Sequence, residues 1–118
     1  MRARNIKPGF FQNADLAVLP VHTRLLFIGL WVLADRAGRL EDRPNQIKFN
    51  VCPFDNFDVE TSLQELHSAS FILRYSFNTA KYIQIVNFLK HQSPHVKEKD
   101  STIPAPDKPG ASTRQAPT

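Results

Sequence analysis

A small α+β domain, with its helices first and a β-hairpin behind them, is what this 118-residue sequence predicts. Three observations carry the prediction. The run Leu25 to Ala34 is apolar without a break. Proline, glycine, asparagine and aspartate divide the first seventy residues into short helical stretches. Two β-branched and aromatic runs, Phe71 to Ser76 and Lys81 to Val86, are joined by Phe77-Asn-Thr-Ala.

The elements follow from local chemistry. Asn13 before Ala-Asp-Leu-Ala is a helix start, with Asn13 as N-cap and Asp15 in the first turn. Pro20 stops that helix and can open the next, which should run from Val21 to Asp35. This second helix is apolar nearly all round, as expected of a central helix or of one that also meets a second subunit. Gly29 permits close helix packing, at some cost in propensity, and Gly38 ends the element. Arg39-Leu-Glu-Asp-Arg-Pro reads as a turn, with Pro44 in the first turn of a helix over Asn45 to Cys52 that Pro53 closes. Asp58 is the expected N-cap of a helix reaching Ala69. In it Val59, Leu63 and Leu66 form the inward stripe, and Thr61, Ser62, Gln64, Glu65 and Ser68 lie outward. In the hairpin, Asn78 is the residue best suited to a left-handed turn conformation. Neither strand alternates cleanly, so their faces stay unassigned. Asn87 to Gln92 adds a short helical or extended piece.

Helix, helix, short helix, helix and hairpin is the plan of a winged helix-turn-helix, in which a short helix, a loop and a second helix precede the wing. The expected domain is 1–92. From Ser93 onward, Pro94, Pro104, Pro106, Pro109 and Pro117 among Ser, Thr, Lys and Ala predict a disordered Pro-rich tail, 93–118.

The bulk properties bound the function. The longest apolar run falls well short of the ~20 residues of a spanning helix, so no membrane partner is expected. The N-terminus lacks the apolar stretch of a secretory signal. Cys52 is the only cysteine, which excludes an internal disulfide and a cysteine-based zinc cluster, and a reducing cytoplasm is the expected location. A net charge of +4 and a pI of about 9.5 suit a polyanionic partner. Arg2, Arg4 and Lys7 crowd the N-terminus. Lys90, His91, His95, Lys97 and Lys99 crowd the end of the core. Asp55 to Glu65 holds four acids and no Lys or Arg.

DNA contact is therefore the leading candidate chemistry. The helix from Asp58 to Ala69 would enter the major groove, with Thr61, Ser62, Gln64 and His67 able to hydrogen-bond base edges. Glu60 and Glu65 oppose this, since they would face phosphate. Arg2, Arg4, Lys7, Arg43, Lys48, Arg74, Lys81, Lys90 and Lys97 are the candidate phosphate contacts, which position a duplex without reading it. Self-association is the second candidate, through Leu25 to Ala34 with Trp31, joined by Phe10 and Phe11. No metal site is expected, because Pro94 separates His91 from His95 and nothing completes a shell. No catalytic residue or cofactor is expected either. There is no Gly-rich phosphate loop, Glu41 and Asp42 read as turn carboxylates pairing with Arg39 or Arg43, and Cys52 reads as a buried structural thiol.

Three segments add a family resemblance: Asn5-Ile-Lys-Pro-Gly-Phe-Phe-Gln-Asn, Arg24-Leu-Leu-Phe-Ile-Gly-Leu-Trp running into Ala34-Asp-Arg-Ala-Gly-Arg-Leu-Glu-Asp-Arg-Pro, and Phe71-Ile-Leu-Arg-Tyr with Tyr82-Ile-Gln-Ile-Val-Asn-Phe-Leu-Lys-His-Gln. Over about the first hundred residues the chain resembles the N-terminal winged-helix domain of phage replication proteins and replisome organisers, relatives of DnaD-like primosome components. The resemblance implies a cytoplasmic, non-catalytic module for initiating phage or prophage DNA replication. Its partners would be double- or single-stranded DNA, other replication proteins and a second copy of itself. The chain departs from the pattern at the wing turn, where Phe77-Asn-Thr-Ala stands in place of a glycine turn. Two alternatives stay open: an interaction or oligomerisation domain that does not read DNA, and a winged-helix transcriptional regulator.

Overall fold

The computed structural model describes residues 1–114, which fold as an α+β domain of six helices and a four-stranded antiparallel sheet. Helix α1 (Gly9–Gln12) is a single turn. Helix α2 (Ala14–Ala17) starts as expected, with Asn13 Oδ1 accepting from the amides of Asp15 and Leu16 at 3.0 and 3.1 Å. Helix α3 (Val21–Leu33) follows Pro20 directly and ends two residues earlier than expected. There Asp35 Oδ1 takes the amides of Ala37 and Arg39, and Gly38 turns the chain at φ +79°. A side chain at Gly38 would also collide with Phe88, whose Cβ lies 2.5 Å from where its own Cβ would be.

The segment after Gly38 is more than a turn. Arg39–Glu41 forms strand β1, which pairs with the hairpin. Helix α4 (Pro44–Val51) begins on Pro44. Helix α5 (Val59–Ser68) is capped by Asp58, whose side chain accepts from the Glu60 amide. Strands β2 (Ile72–Phe77) and β3 (Ala80–Ile85) form the hairpin, and both central turn residues, Asn78 and Thr79, are left-handed. Two such residues in a row give the tight turn whose twist matches the flanking strands, so this hairpin closes without glycine. Helix α6 (Phe88–His91) follows.

The helices bury Leu26, Leu30, Leu63 and Leu66 against Ile72, Ile83 and Ile85 of the sheet. Central α3 fulfils one expectation and qualifies another. Leu26, Phe27, Leu30 and Trp31 are buried, and its far side is covered by the N-terminal strand of chain, where Arg2 donates its amide to the Val32 carbonyl. Its first turns are not covered: Val21 is 71% exposed and Leu25 50%.

The expected disordered tail is the main correction. Residues 93–114 run back across the domain. Glu98 receives the guanidinium groups of Arg2 and Arg4 at 3.0 and 2.8 Å. Arg39 donates to the Ile103 carbonyl, and the Tyr75 hydroxyl to the Pro104 carbonyl at 2.7 Å. Strand β4 (Ala111–Thr113) then pairs with the free edge of β2, completing the order β1-β3-β2-β4. The prolines deprive this segment of amide donors, but its carbonyls remain, and the sheet's outer face supplies the donors. The tail also explains why the strands lack alternation: Tyr75 and Phe77 face it while Ile72 and Arg74 face the helices, so both sheet faces are covered. Residues 115–118 of the expected tail lie outside the described residues.

Two tests follow from this packing. A Cβ at position 29 would stand 2.8 Å from both Cβ and Cγ2 of Val51. Gly29→Ala should gain at most about 1 kcal/mol of helix propensity and lose about 1–3 kcal/mol to overpacking, a net fall in the denaturation midpoint. The hydrogen bond from Arg4 holds the Glu98 carboxyl below the usual carboxylate range. A depressed carboxylate stabilises the fold above its ordinary pKa and loses that contribution as pH falls through its folded value. Amide protection over 98–114, taken relative to the intrinsic exchange rate at each pH, should therefore fall at acid pH, and Glu98→Gln should produce the same loss of protection at neutral pH.

Candidate nucleic-acid interface

The face that could meet DNA is built around a guanidinium that faces inward. Arg74 shares the inner side of β2 with Ile72, an alternation that fixes it beneath α5 and the start of α4. Its Nε and Nη2 donate to the two oxygens of Asp42 at 2.7 and 2.9 Å, and Nη1 and Nη2 to the two oxygens of Glu60 at 2.7 and 2.8 Å. Both the Arg74 and Asp42 side chains are 1% exposed, whereas Glu60 is 44% exposed. Burial alone would lower the pKa of Arg74, but its bonds to Glu60 and Asp42 outweigh that, and its affinity for the proton rises. Those same bonds from Arg74 hold the Glu60 carboxyl below its usual range. Arg114 of the tail approaches both acids, 3.6 Å from Asp42 and 3.8 Å from Glu60. Two guanidiniums and two carboxylates thus cancel.

The other acid of α5 is also engaged. Thr23 Oγ1 lies 2.8 Å from Ser62 Oγ and 2.7 Å from Glu65 Oε1. With one proton on each hydroxyl, the chain of bonds runs from Ser62 to Thr23 to Glu65. The acids that counted against α5 as a groove reader are thereby bound to groups of the protein itself.

Several expected contacts lie elsewhere. Ser62 and His67 are buried, so neither reaches a base. His67 accepts the Arg74 amide on Nδ1 at 3.1 Å and meets the Arg114 carbonyl through Nε2 at 2.7 Å, which assigns the proton to Nε2. Ser62 meets Thr23 of α3 and His67 meets Arg74 of β2, partners that the sequence of α5 does not reveal. Arg74 is committed to Asp42 and Glu60. Arg4 is buried as well, bonded to the carbonyls of Trp31 and Ala34 and to Glu98, 5.1 Å above the Phe88 ring. Lys48 is half-buried, with Nζ 3.5 Å from the Cys52 carbonyl, and Arg2 is paired with Glu98.

What remains accessible falls into groups. Thr61 lies on the outer side of α5, where its hydroxyl donates to the capping Asp58 at 2.7 Å, whereas Gln64 is half-buried with its Oε1 enclosed. Lys81 lines a polar cleft of about 390 Å³ with Pro44, Glu60 and Arg114, and Arg43 beside it pairs with Glu41 at 2.8 Å. Lys7 and Lys90 meet at another edge, where Lys7 Nζ lies 3.3 Å from the Lys90 carbonyl. Lys97 is exposed in the tail. Asp42 and Arg114 were missed by sequence reasoning. Asp42 was expected to pair within its own turn, as Glu41 does with Arg43, and instead bonds across to β2. Nothing local marks Arg114.

Cys52 is buried, and that burial raises its thiol pKa against the smaller opposing pull of Lys48, the signature of a structural thiol. Among the described residues no three His, Cys, Asp or Glu side chains gather where a metal could be held, and no helix is long and apolar enough to cross a membrane.

Arg74→Met should cost about 3–5 kcal/mol of unfolding free energy, because it strands a buried Asp42 charge. Because the Glu60 carboxyl is depressed, its contribution is present above the ordinary carboxylate pKa and disappears as pH falls through its folded value. Glu60→Gln should accordingly flatten the acid limb of stability against pH, measured by urea midpoints. No family model, curated protein or solved structure matches this chain.

Proposed function

We propose that the chain is a winged helix-turn-helix module that binds duplex DNA without catalysis and serves the assembly of phage or prophage replication. The order β1, α4, α5, β2, β3, with β1 beside β3 and the hairpin closing the sheet, supports the winged-helix reading. The observation that carries the DNA reading is the internal pairing of Glu60 with Arg74. With the Glu60 charge matched by Arg74, the outer side of this helix approaches phosphate with one uncompensated acid instead of two, and that one, Glu65, is turned toward Thr23. Thr61 is the groove-facing candidate, with Arg43 and Lys81 as phosphate contacts beside it. The replication role rests on the resemblance carried by the three sequence segments.

A second reading has one observation in its favour. Val18, Val21 and Leu25 are exposed across the end of α2 and the start of α3, the apolar surface that an assembly domain would use.

The test is a gel-shift titration of a duplex at several salt concentrations. The slope of log affinity against log salt should fall by about 0.9 for each phosphate contact removed, so Arg43→Ala and Lys81→Ala should each flatten it. Absence of any shift at low salt removes the DNA reading, and a dimer in sedimentation then favours the assembly reading.

A further inference from the structure

A second site lies away from α5, and no residue of that helix lines it. A cleft of about 240 Å³ opens between the N-terminal segment and the chain leaving β3. Its walls are aromatic. Phe10 meets Trp31 edge-on with ring centres 5.6 Å apart, Phe27 meets Trp31 at 5.2 Å, and Phe27 meets Phe71 at 5.5 Å. The mouth carries one ammonium, Lys7, bonded to the Lys90 carbonyl, and the imidazole of His91. No Asp or Glu is among the lining residues.

The N-terminal wall is fixed, not loosely laid. Buried Gln92 accepts the Asn5 amide at 2.9 Å and donates to the Asn5 carbonyl at 2.8 Å. Asn87, left-handed at φ +59°, also lines the cleft, and the left-handed Ser70 beside it closes α5 with its amide on the His67 carbonyl.

The volume is below the roughly 300–1,000 Å³ of pockets for drug-sized ligands, and suits a single ring system with its substituent. Aromatic walls accept a planar ring whatever its hydrogen-bonding edge, and a mouth with a lysine, an imidazole and no carboxylate favours an anion on that ring. We propose that this cleft holds one unstacked nucleotide, its base among Phe10, Trp31 and Phe71 and its phosphate at Lys7 and His91. A free nucleotide and a nucleotide of single-stranded DNA share this chemistry. The inference draws on the DNA reading for the choice of strand, but the cleft is separate from α5, so the two can fail independently.

Trp31 is the sole tryptophan and lines the cleft, so its emission reports occupancy. The probes are thymidine monophosphate, a short oligothymidylate, a blunt duplex and an uncharged phenylalanine peptide. The monophosphate or the oligothymidylate should quench Trp31 saturably, and the one that binds more tightly identifies the source. For the strand, Lys7→Gln and His91→Gln should each weaken binding a few-fold, and Lys7→Gln should lower the salt slope by about 0.7. A duplex that shifts in a gel while neither nucleotide probe alters Trp31 overturns the cleft inference and leaves the α5 reading standing. Quenching by the monophosphate with no duplex shift supports the cleft and removes the α5 reading. Quenching by the uncharged peptide as strong as by either nucleotide probe makes this a peptide pocket and overturns the inference.

Discussion

The ion cluster of Arg74, Asp42 and Glu60 is the constraint on which the helix-facing side of the molecule depends. It joins β2, the turn between β1 and α4, and the first turn of α5 by four hydrogen bonds. A guanidinium removed from water loses several kcal/mol of hydration, and only near-complete pairing can offset this. Here the fork of Arg74 is matched by two carboxylates in bidentate geometry, an arrangement that a lysine could not reproduce. Apolar contacts between α5 and the sheet would tolerate sliding, whereas bidentate bonds do not. The cluster therefore fixes the register of α5 over the sheet and, with it, which residues of that helix reach the surface.

The same cluster reverses the meaning of acidic residues in a helix that is asked to approach DNA. A count along α5 finds Glu60 and Glu65 and predicts repulsion. In three dimensions Glu60 is matched by Arg74 with Arg114 next to it, while Glu65 keeps its charge and is hydrogen-bonded to Thr23. The field felt by an approaching phosphate is set by the sum over neighbours in space, of which the neighbours in sequence are a small part.

Features with short-range causes were legible in the sequence. Asn13 and Asp58 as caps, Pro44 at a helix start and the left-handed Asn78 all depend on chemistry within three or four residues. The illegible features had distant causes. Strand β1 reads as a turn in the sequence because its partner is β3, more than forty residues on. Arg74 looked like a surface cation because Asp42 and Glu60 lie 32 and 14 positions away. The site suffered more than the fold: Ser62, His67, Arg4 and Arg74 were named for their functional groups, which the structure spends on internal bonds. Residues 93–114 misled for a related reason. A proline-rich composition reports that a segment cannot build secondary structure by itself, and says nothing of a sheet face ready to receive its carbonyls.

Strand β4 bears on how the chain behaves when divided. Three residues, Ala111–Thr113, occupy the outer edge of β2, and the segment before them covers Tyr75 and Phe77. Cutting at 92, where composition places the domain boundary, would strip both coverings at once. It would leave an open strand edge flanked by bare aromatic rings, the arrangement that recruits strands from other molecules into aggregates. In this fold the segment that resembles a linker acts as the sheet's guard against its own kind.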